Sequence, residues 1–175
     1  MNDFKIVFTG PPGVGKSTAI AALSDTPPVR TEVRNADASL GPTHTTVALD
    51  FGQVDLGRGQ SARLFGTPGQ ARFEFMWRIV AADAAGVVIL IDNSRVDPLG
   101  EFVAYLEAYR DLLPQMTFVA GIVRTEVCRQ PSADDYVQQL TSRGLAFPVL
   151  EVDVRRRDDV QVMVDMLLTK VRSRL

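Results

Sequence analysis

One octapeptide, Gly10-Pro11-Pro12-Gly13-Val14-Gly15-Lys16-Ser17, constrains what this chain can fold into more than any other feature. It follows an apolar run, Phe4 to Phe8, and precedes an Ala- and Leu-bearing segment, Ser17 to Leu23. The order is strand, glycine loop, helix, and the pattern is G-x-x-x-x-G-K-[ST]. Glycines let successive backbone N–H groups turn inward with no Cβ in the way. Those groups make an anion nest at a positive helix N-terminus. Lys16 adds a mobile charge for β- and γ-phosphates, and the Ser17 hydroxyl is a hard oxygen ligand suited to Mg²⁺. Pro12, Gly13, Val14, Gly15, Lys16, Ser17 and Thr18 are therefore the candidate nucleotide-binding residues, with Lys16 also a candidate catalytic group. The strand-to-helix context separates this loop from an ordinary glycine-rich turn.

A chain of 175 residues reads as a single domain, 1–175, with enough length for a full core. A formal net charge of −2 gives no electrostatic footprint for nucleic acid. Cys128 is the only cysteine, so no internal disulfide forms, which fits a reducing cytoplasm. The first residues carry no signal-peptide pattern. The longest apolar block, Ala84 to Ile91, is far short of the roughly 20 residues a membrane helix needs. Residue 2 is Asn and the last residues include no cysteine, so the lipidation motifs are absent. The expectation is no direct membrane anchor; the oligomeric state is not legible.

Phe4 to Thr9 reads as a buried strand and Lys16 to Leu23 as a helix. The stretch Ser24 to Thr46 holds Pro27, Pro28, Gly41 and Pro42 with little periodicity, and reads as a long switch or lid over the nucleotide. Val47 to Val54 alternates as a half-buried strand and Ser61 to Phe65 is its hairpin partner across Gly57-Arg58-Gly59. A helix is expected from Ala71 to about Ala84. Gly86 to Asp92 is a continuous apolar run, the mark of a strand covered on both faces. Helices over Asp97 to Leu113, Ser132 to Arg143 and Asp158 to Ser173 alternate with strands over Phe118 to Val123 and Phe147 to Val152. This predicts a three-layer α/β domain: a six-stranded, mostly parallel sheet with one antiparallel edge strand, and a ligand at the carboxyl ends of the strands.

With the glycine loop, the switch stretch, the hairpin and the segment Gly66-Thr67-Pro68-Gly69-Gln70 in view, the chain resembles a small Ras-like GTPase. It is most similar to the prokaryotic branch whose third motif reads F-G-T-P-G-Q, related to the polarity GTPase of gliding motility. The resemblance covers nearly the whole chain and implies the P-loop NTPase (small G-protein) fold, GTP and GDP as ligands, and Mg²⁺ as cofactor. It implies that Thr46, just before a strand ending in Asp50-Phe51, coordinates Mg²⁺ beside Ser17 and senses the γ-phosphate, with Thr45 and Thr43 as substitutes. It further implies that the Gly69 N–H meets the γ-phosphate and that Gln70 orients the attacking water. Most Ras-like proteins hold Mg²⁺ with an Asp where Gly66 stands. The named branch shares that loss, and Asp92 is a candidate replacement, or else a polar strand end.

The family's base motif, N-K-x-D, is Val123-Arg124-Thr125-Glu126 here. Arg124 takes the place of the stacking Lys, and Glu126 offers the guanine-reading carboxylate on a longer arm. Asp153 and Val154 stand where the family's last base-contacting loop lies, with Arg155 beside them. Arginines 30, 34, 72 and 78 read as solvated charges with no catalytic role. The segment after Gln70 carries Phe73, Trp77 and Val80 on one face and Phe75, Met76 and Ile79 on another, more apolar surface than one stripe needs. By resemblance, a roadblock- or longin-type regulator or GTPase-activating protein docks on the Gln70 to Ala84 helix. The leading expectation is a switch with slow, partner-stimulated GTP hydrolysis. The alternatives are a degenerate GTPase serving as a nucleotide-holding scaffold, and an ATP-binding P-loop protein.

Overall fold

The central strand of the sheet carries the glycine loop at its end. The computed structural model describes residues 2–34 and 46–174. Its strands are β1 (Asn2–Thr9), β2 (Val29–Arg34), β3 (Thr46–Gly57), β4 (Gln60–Gly66), β5 (Gly86–Asp92), β6 (Thr117–Val123) and β7 (Val149–Glu151). Its helices are α1 (Lys16–Leu23), α2 (Glu74–Ala81), α3 (Pro98–Ala108), α4 (Ala133–Thr141) and α5 (Arg157–Arg172). The strands lie in the order β2-β3-β4-β1-β5-β6-β7. β1 pairs in parallel with β4 and β5, β5 with β6, and β6 with β7, while β3 runs antiparallel to both β2 and β4.

Every residue of β5 and of β6 is buried, because helices cover both faces. Side chains on β1 alternate across the sheet. Ile6 and Phe8 join Ile20, Leu23, Met163 and Leu167 under α1 and α5. Val7 points the other way, into a second core with Trp77, Phe102, Tyr105, Tyr109 and Tyr136 under α2, α3 and α4. These are the three layers expected. The helix starts also match their sequence signals. Asp97 accepts from the Gly100 N–H at 3.0 Å with Pro98 in the first turn, and Ser132 and Asp135 form a reciprocal capping box.

The sheet has seven strands rather than six. Val29–Arg34, read from sequence as part of the switch stretch, forms β2 and pairs with β3 from Val29↔Phe51 to Arg34↔Thr46. Its alternation is short and follows Pro27-Pro28, so the local signal is weak, and pairing with the long β3 decides its conformation. The antiparallel strand β3 therefore lies one position in from the edge, and β2 is the edge. The rest of the switch stretch, 35–45, lies outside the described residues. The segment after Gln70 is also shorter than expected: a 3-10 turn over Ala71–Phe73 leads into the eight-residue α2.

Candidate functional site

The loop between β1 and α1 closes on itself through Lys16. The Lys16 side chain is buried, and its ammonium donates to the carbonyls of Gly10 at 2.7 Å and Pro11 at 2.9 Å. Burial lowers its pKa to about 8, against the opposing pull of the Asp50 carboxylate. Gly15 stands just before α1 with φ +113°, and a Cβ there would lie 2.7 Å from Val154 Cγ2. Only glycine fits that position, and the contact seats the loop between β7 and α5 directly against the phosphate-binding loop.

The T-P-G-Q segment reaches the same loop from β4. A Cβ on Gly69 would lie 2.7 Å from Pro12 N and 2.9 Å from Lys16 Nζ, so this backbone packs on the nest at a distance no larger residue permits. Gln70 is exposed and opens the 3-10 turn, its carbonyl accepting from the Phe73 N–H at 2.9 Å.

Sequence reasoning missed Asp50. Ser17 Oγ donates to Asp50 Oδ2, and the exposed Arg30 stands 3.6 Å from the other carboxylate oxygen. In the β3–β4 register Phe51 faces Phe65, which brings Asp50 opposite Gly66. A Cβ on Gly66 would lie 3.2 Å from Ile20 Cδ1 and in ordinary contact, at 3.4 Å, with Asp50 Cβ, so position 66 and the Asp50 side chain are neighbours on one face of the hairpin. The Asp50 carboxylate thus stands across the hairpin from position 66, beside Ser17. The signal for it was an Asp within the apolar first half of β3 opposite the Gly that ends β4, readable only with the register in hand. Asp92, the sequence-based candidate for this role, is engaged elsewhere. It pairs with Arg124 Nη1 and accepts from the N–H of Ser94 at 3.0 Å and its hydroxyl at 2.6 Å. Ser17 and Asp50 are hard oxygen donors beside the phosphate nest. Such a sparse set suits Mg²⁺, which takes one or two protein oxygens together with substrate phosphates. Thr46 begins β3, but its side chain lies outside what is described, as do Thr43 and Thr45 altogether.

On the other side of the loop lies a cavity of about 280 Å³. Gly13, Thr18, Arg124, Glu126, Asp153 and Val154 are among its lining residues, so the loop residues and the expected base-reading residues share one space. Arg124, at φ +59°, ties the two ends together. One guanidinium nitrogen meets Asp92 and another donates to the Gly13 carbonyl at 3.1 Å. Glu126 is exposed at the rim. Asp153 accepts three times from Arg155, from its guanidinium at 2.8 and 2.7 Å and from its backbone N–H at 3.0 Å, and these bonds hold its carboxyl down to about 2. The Asp153 N–H is held in turn by Asp159 at 2.8 Å.

Of the apolar residues after Gln70, Met76, Trp77 and Val80 enter the core. Phe75 is 40% exposed and Ile79 59%, so the surplus apolar surface is two residues one helical turn apart. Among the described residues no helix is long and apolar enough to cross a membrane.

Known proteins show the same architecture. The cytosolic domain of the T. maritima FeoB iron transporter superposes in its GMPPNP form with a TM-score of 0.68 and 17% identity, over 97% of this chain and 64% of that one. A GDP form gives 0.70 and 18%, over 98% and 64%. The isolated G domain gives 0.68 and 17%, over 96% of this chain and 98% of that chain. These likenesses concern the fold. In sequence, an uncharacterised protein of Methanocaldococcus jannaschii is 29% identical over 97 residues, and the match spans 54% of each chain, about half of this curated relative's length. The profile of the 50S ribosome-binding GTPases matches residues 5–120, from β1 through the glycine loop, Asp50 and the T-P-G-Q segment into β6. On that match, and with a P-loop fold that gathers its motifs at one end of the sheet, this chain belongs to the 50S ribosome-binding GTPase family, a family of GTP-binding proteins.

Proposed function

We infer that this protein is a guanine-nucleotide switch that hydrolyses GTP slowly and is driven through its cycle by a partner, in the manner of the prokaryotic Ras-like branch it resembles. One observation carries the reading. Gly69 packs on Pro12 and Lys16, so the segment expected to sense the γ-phosphate borders the nest expected to hold it.

Each residue then has a task. The backbone N–H groups of residues 12–18 and the ammonium of Lys16 bind the phosphates. Ser17 and Asp50, with Thr46 from the start of β3, would hold Mg²⁺, which when bound neutralises charge on the β- and γ-phosphate oxygens. The Gly69 N–H donates to the γ-phosphate, and Gln70 orients the attacking water. Gln70 is exposed and lacks any fixing contact among the described residues beyond its backbone, which suits slow turnover until a partner orders it. At the other end Glu126 accepts from the guanine edge, Arg124 covers the base, and Asp153 and Val154 line the pocket. Phe75 and Ile79 support a docking surface on α2 for a roadblock- or longin-type regulator. The setting proposed is the cytoplasm.

The test is competition against a fluorescent GDP analogue, with turnover measured alongside. GTP and GDP are expected to displace it at least about a hundredfold better than ATP. Gln70→Leu is expected to keep nucleotide affinity and lose hydrolysis. Equal competition by ATP would overturn guanine recognition, and unchanged turnover in the variant removes Gln70 from the mechanism. A protein that binds GTP tightly but shows no turnover even with its partner is instead a nucleotide-holding scaffold.

A further inference from the structure

We propose that Trp77 is a positioning residue for the phosphate-sensing turn: its indole N–H holds the Pro68 carbonyl and thereby sets the plane of the Pro68–Gly69 peptide. The proposal rests on the reading that the Gly69 N–H meets the γ-phosphate, and deepens it.

The peptide unit makes the connection. The Trp77 indole nitrogen donates to the Pro68 carbonyl at 2.6 Å. That carbonyl and the Gly69 N–H belong to one planar trans peptide, in which they point in opposite directions. Fixing the carbonyl towards the indole therefore fixes the line along which the Gly69 N–H points, away from α2. Rotation of this peptide would turn the N–H off its target without moving any other backbone atom far.

Both sides of the hydrogen bond are held. The indole is 5% exposed and stacks on Tyr105 at 4.5 Å and 18° and on Tyr109 at 6.4 Å and 15°. Tyr109 is itself anchored, its hydroxyl donating to Thr9 Oγ1 at 3.1 Å. On the loop side, the Thr67 N–H donates to the Phe8 carbonyl at 2.9 Å and its hydroxyl to Thr9 Oγ1 at 2.9 Å. Thr9, Thr67 and Tyr109 are all buried, so these bonds form without competing water. Pro68 adds a fixed φ. Two residues before Gly69 the chain is thus pinned to β1, and one residue before it to the aromatic stack of α2 and α3. The same stack runs into the helix that carries Phe75 and Ile79, so a partner pressing on α2 acts on the carbonyl that orients Gly69.

The test compares wild type with Trp77→Phe, which keeps an aromatic ring for the stack and removes the indole N–H. The primary readout is the ratio of affinities for a non-hydrolysable GTP analogue and for GDP, which does not depend on turnover. That ratio is expected to fall about fivefold in Trp77→Phe, with GDP affinity unchanged. An unchanged ratio overturns the proposal. Trp77 is the only tryptophan, so wild-type protein gives one indole N–H resonance. In the analogue-bound form it is expected at the position of a hydrogen-bonded indole N–H, with slow solvent exchange, and a free, fast-exchanging indole N–H there overturns the proposal without any variant. Gln70→Leu separates the two readings. If it loses hydrolysis while Trp77→Phe keeps the wild-type ratio, the hydrolysis assignment stands and the positioning role falls. If Gln70→Leu turns over normally while Trp77→Phe loses the ratio, the converse holds.

Discussion

On the proposed function, the phosphate end and the base end of the nucleotide cleft are built by different means. At the phosphate end, backbone atoms make one side of each close contact. Gly15 admits Val154, Gly69 lies on Pro12, and the Lys16 ammonium is wrapped by two carbonyls of its own loop. At the base end, side chains do the shaping. Arg124 reaches from Asp92 to Gly13, Asp153 grips Arg155, and Glu126 stands exposed at the rim. A backbone cradle admits few residue types, because one added carbon collides with it. A wall of long side chains can be assembled in several ways, since a carboxylate can arrive on one methylene or two. The phosphate end should therefore carry most of the affinity and the base end most of the discrimination.

The strongest test of that division is Lys16→Ala. Charge-assisted bonds to phosphate contribute up to about 3 kcal/mol, so affinity for GTP and GDP should fall roughly a hundredfold, measured by displacement of a fluorescent analogue. ATP binding should fall by the same factor, because the loss precedes any reading of the base. A loss confined to guanine nucleotides would break the division.

Glu126→Ala should do the reverse. Removing a bidentate partner of the base costs on the order of 1–3 kcal/mol. The preference for GTP over ATP should drop about tenfold or more, while inorganic triphosphate binds as before. If triphosphate binding weakens too, the two ends are not separable.

How much could be read from sequence follows the same line. The glycine loop was legible as a strand–loop–helix unit, because its pattern lies in eight consecutive positions. Gly86–Asp92 was legible because a strand buried on both faces is apolar throughout. β2 was not, since six residues after two prolines state no preference that pairing with β3 cannot override. Asp50 was not, because its partners Ser17 and Gly66 come from other elements and only the hairpin register brings them together. The expected base-end residues were read from position in a motif, and the structure brings them to one cavity, but the Arg124–Asp92 pair across the β5–β6 ends, which sets the direction of Arg124, needed the fold.

Asp50→Asn sharpens the comparison within the phosphate end. Asn keeps the shape and an oxygen for Ser17 but loses the charge. The gain in GTP affinity on adding Mg²⁺ should shrink about tenfold, while affinity in excess chelator stays as in wild type. An equal loss with and without Mg²⁺ would make Asp50 a structural partner of Ser17 only.

The smallest effect comes from proton linkage at Lys16, and its sign differs between folding and binding. In the folded protein the amine titrates at about 8, below its ordinary 10.5, because burial disfavours the charge. The unfolded chain therefore holds this proton to higher pH than the fold does. The linked contribution opposes folding below about pH 8 and fades as pH rises towards 10.5, so it favours the nucleotide-free fold on the alkaline side. Binding runs the other way. Phosphates attract the ammonium, so above pH 8 the protein must take up a proton to bind. GDP affinity, measured with Mg²⁺ omitted, should be flat below about pH 7 and fall about tenfold by pH 9. Lys16→Arg, which stays charged throughout, should abolish the slope while binding more weakly at every pH. A wild-type affinity that is level from pH 7 to 9 would mean that the nest, and not the lysine charge, carries the phosphate contact, and would shift the weight of the phosphate end still further onto its backbone.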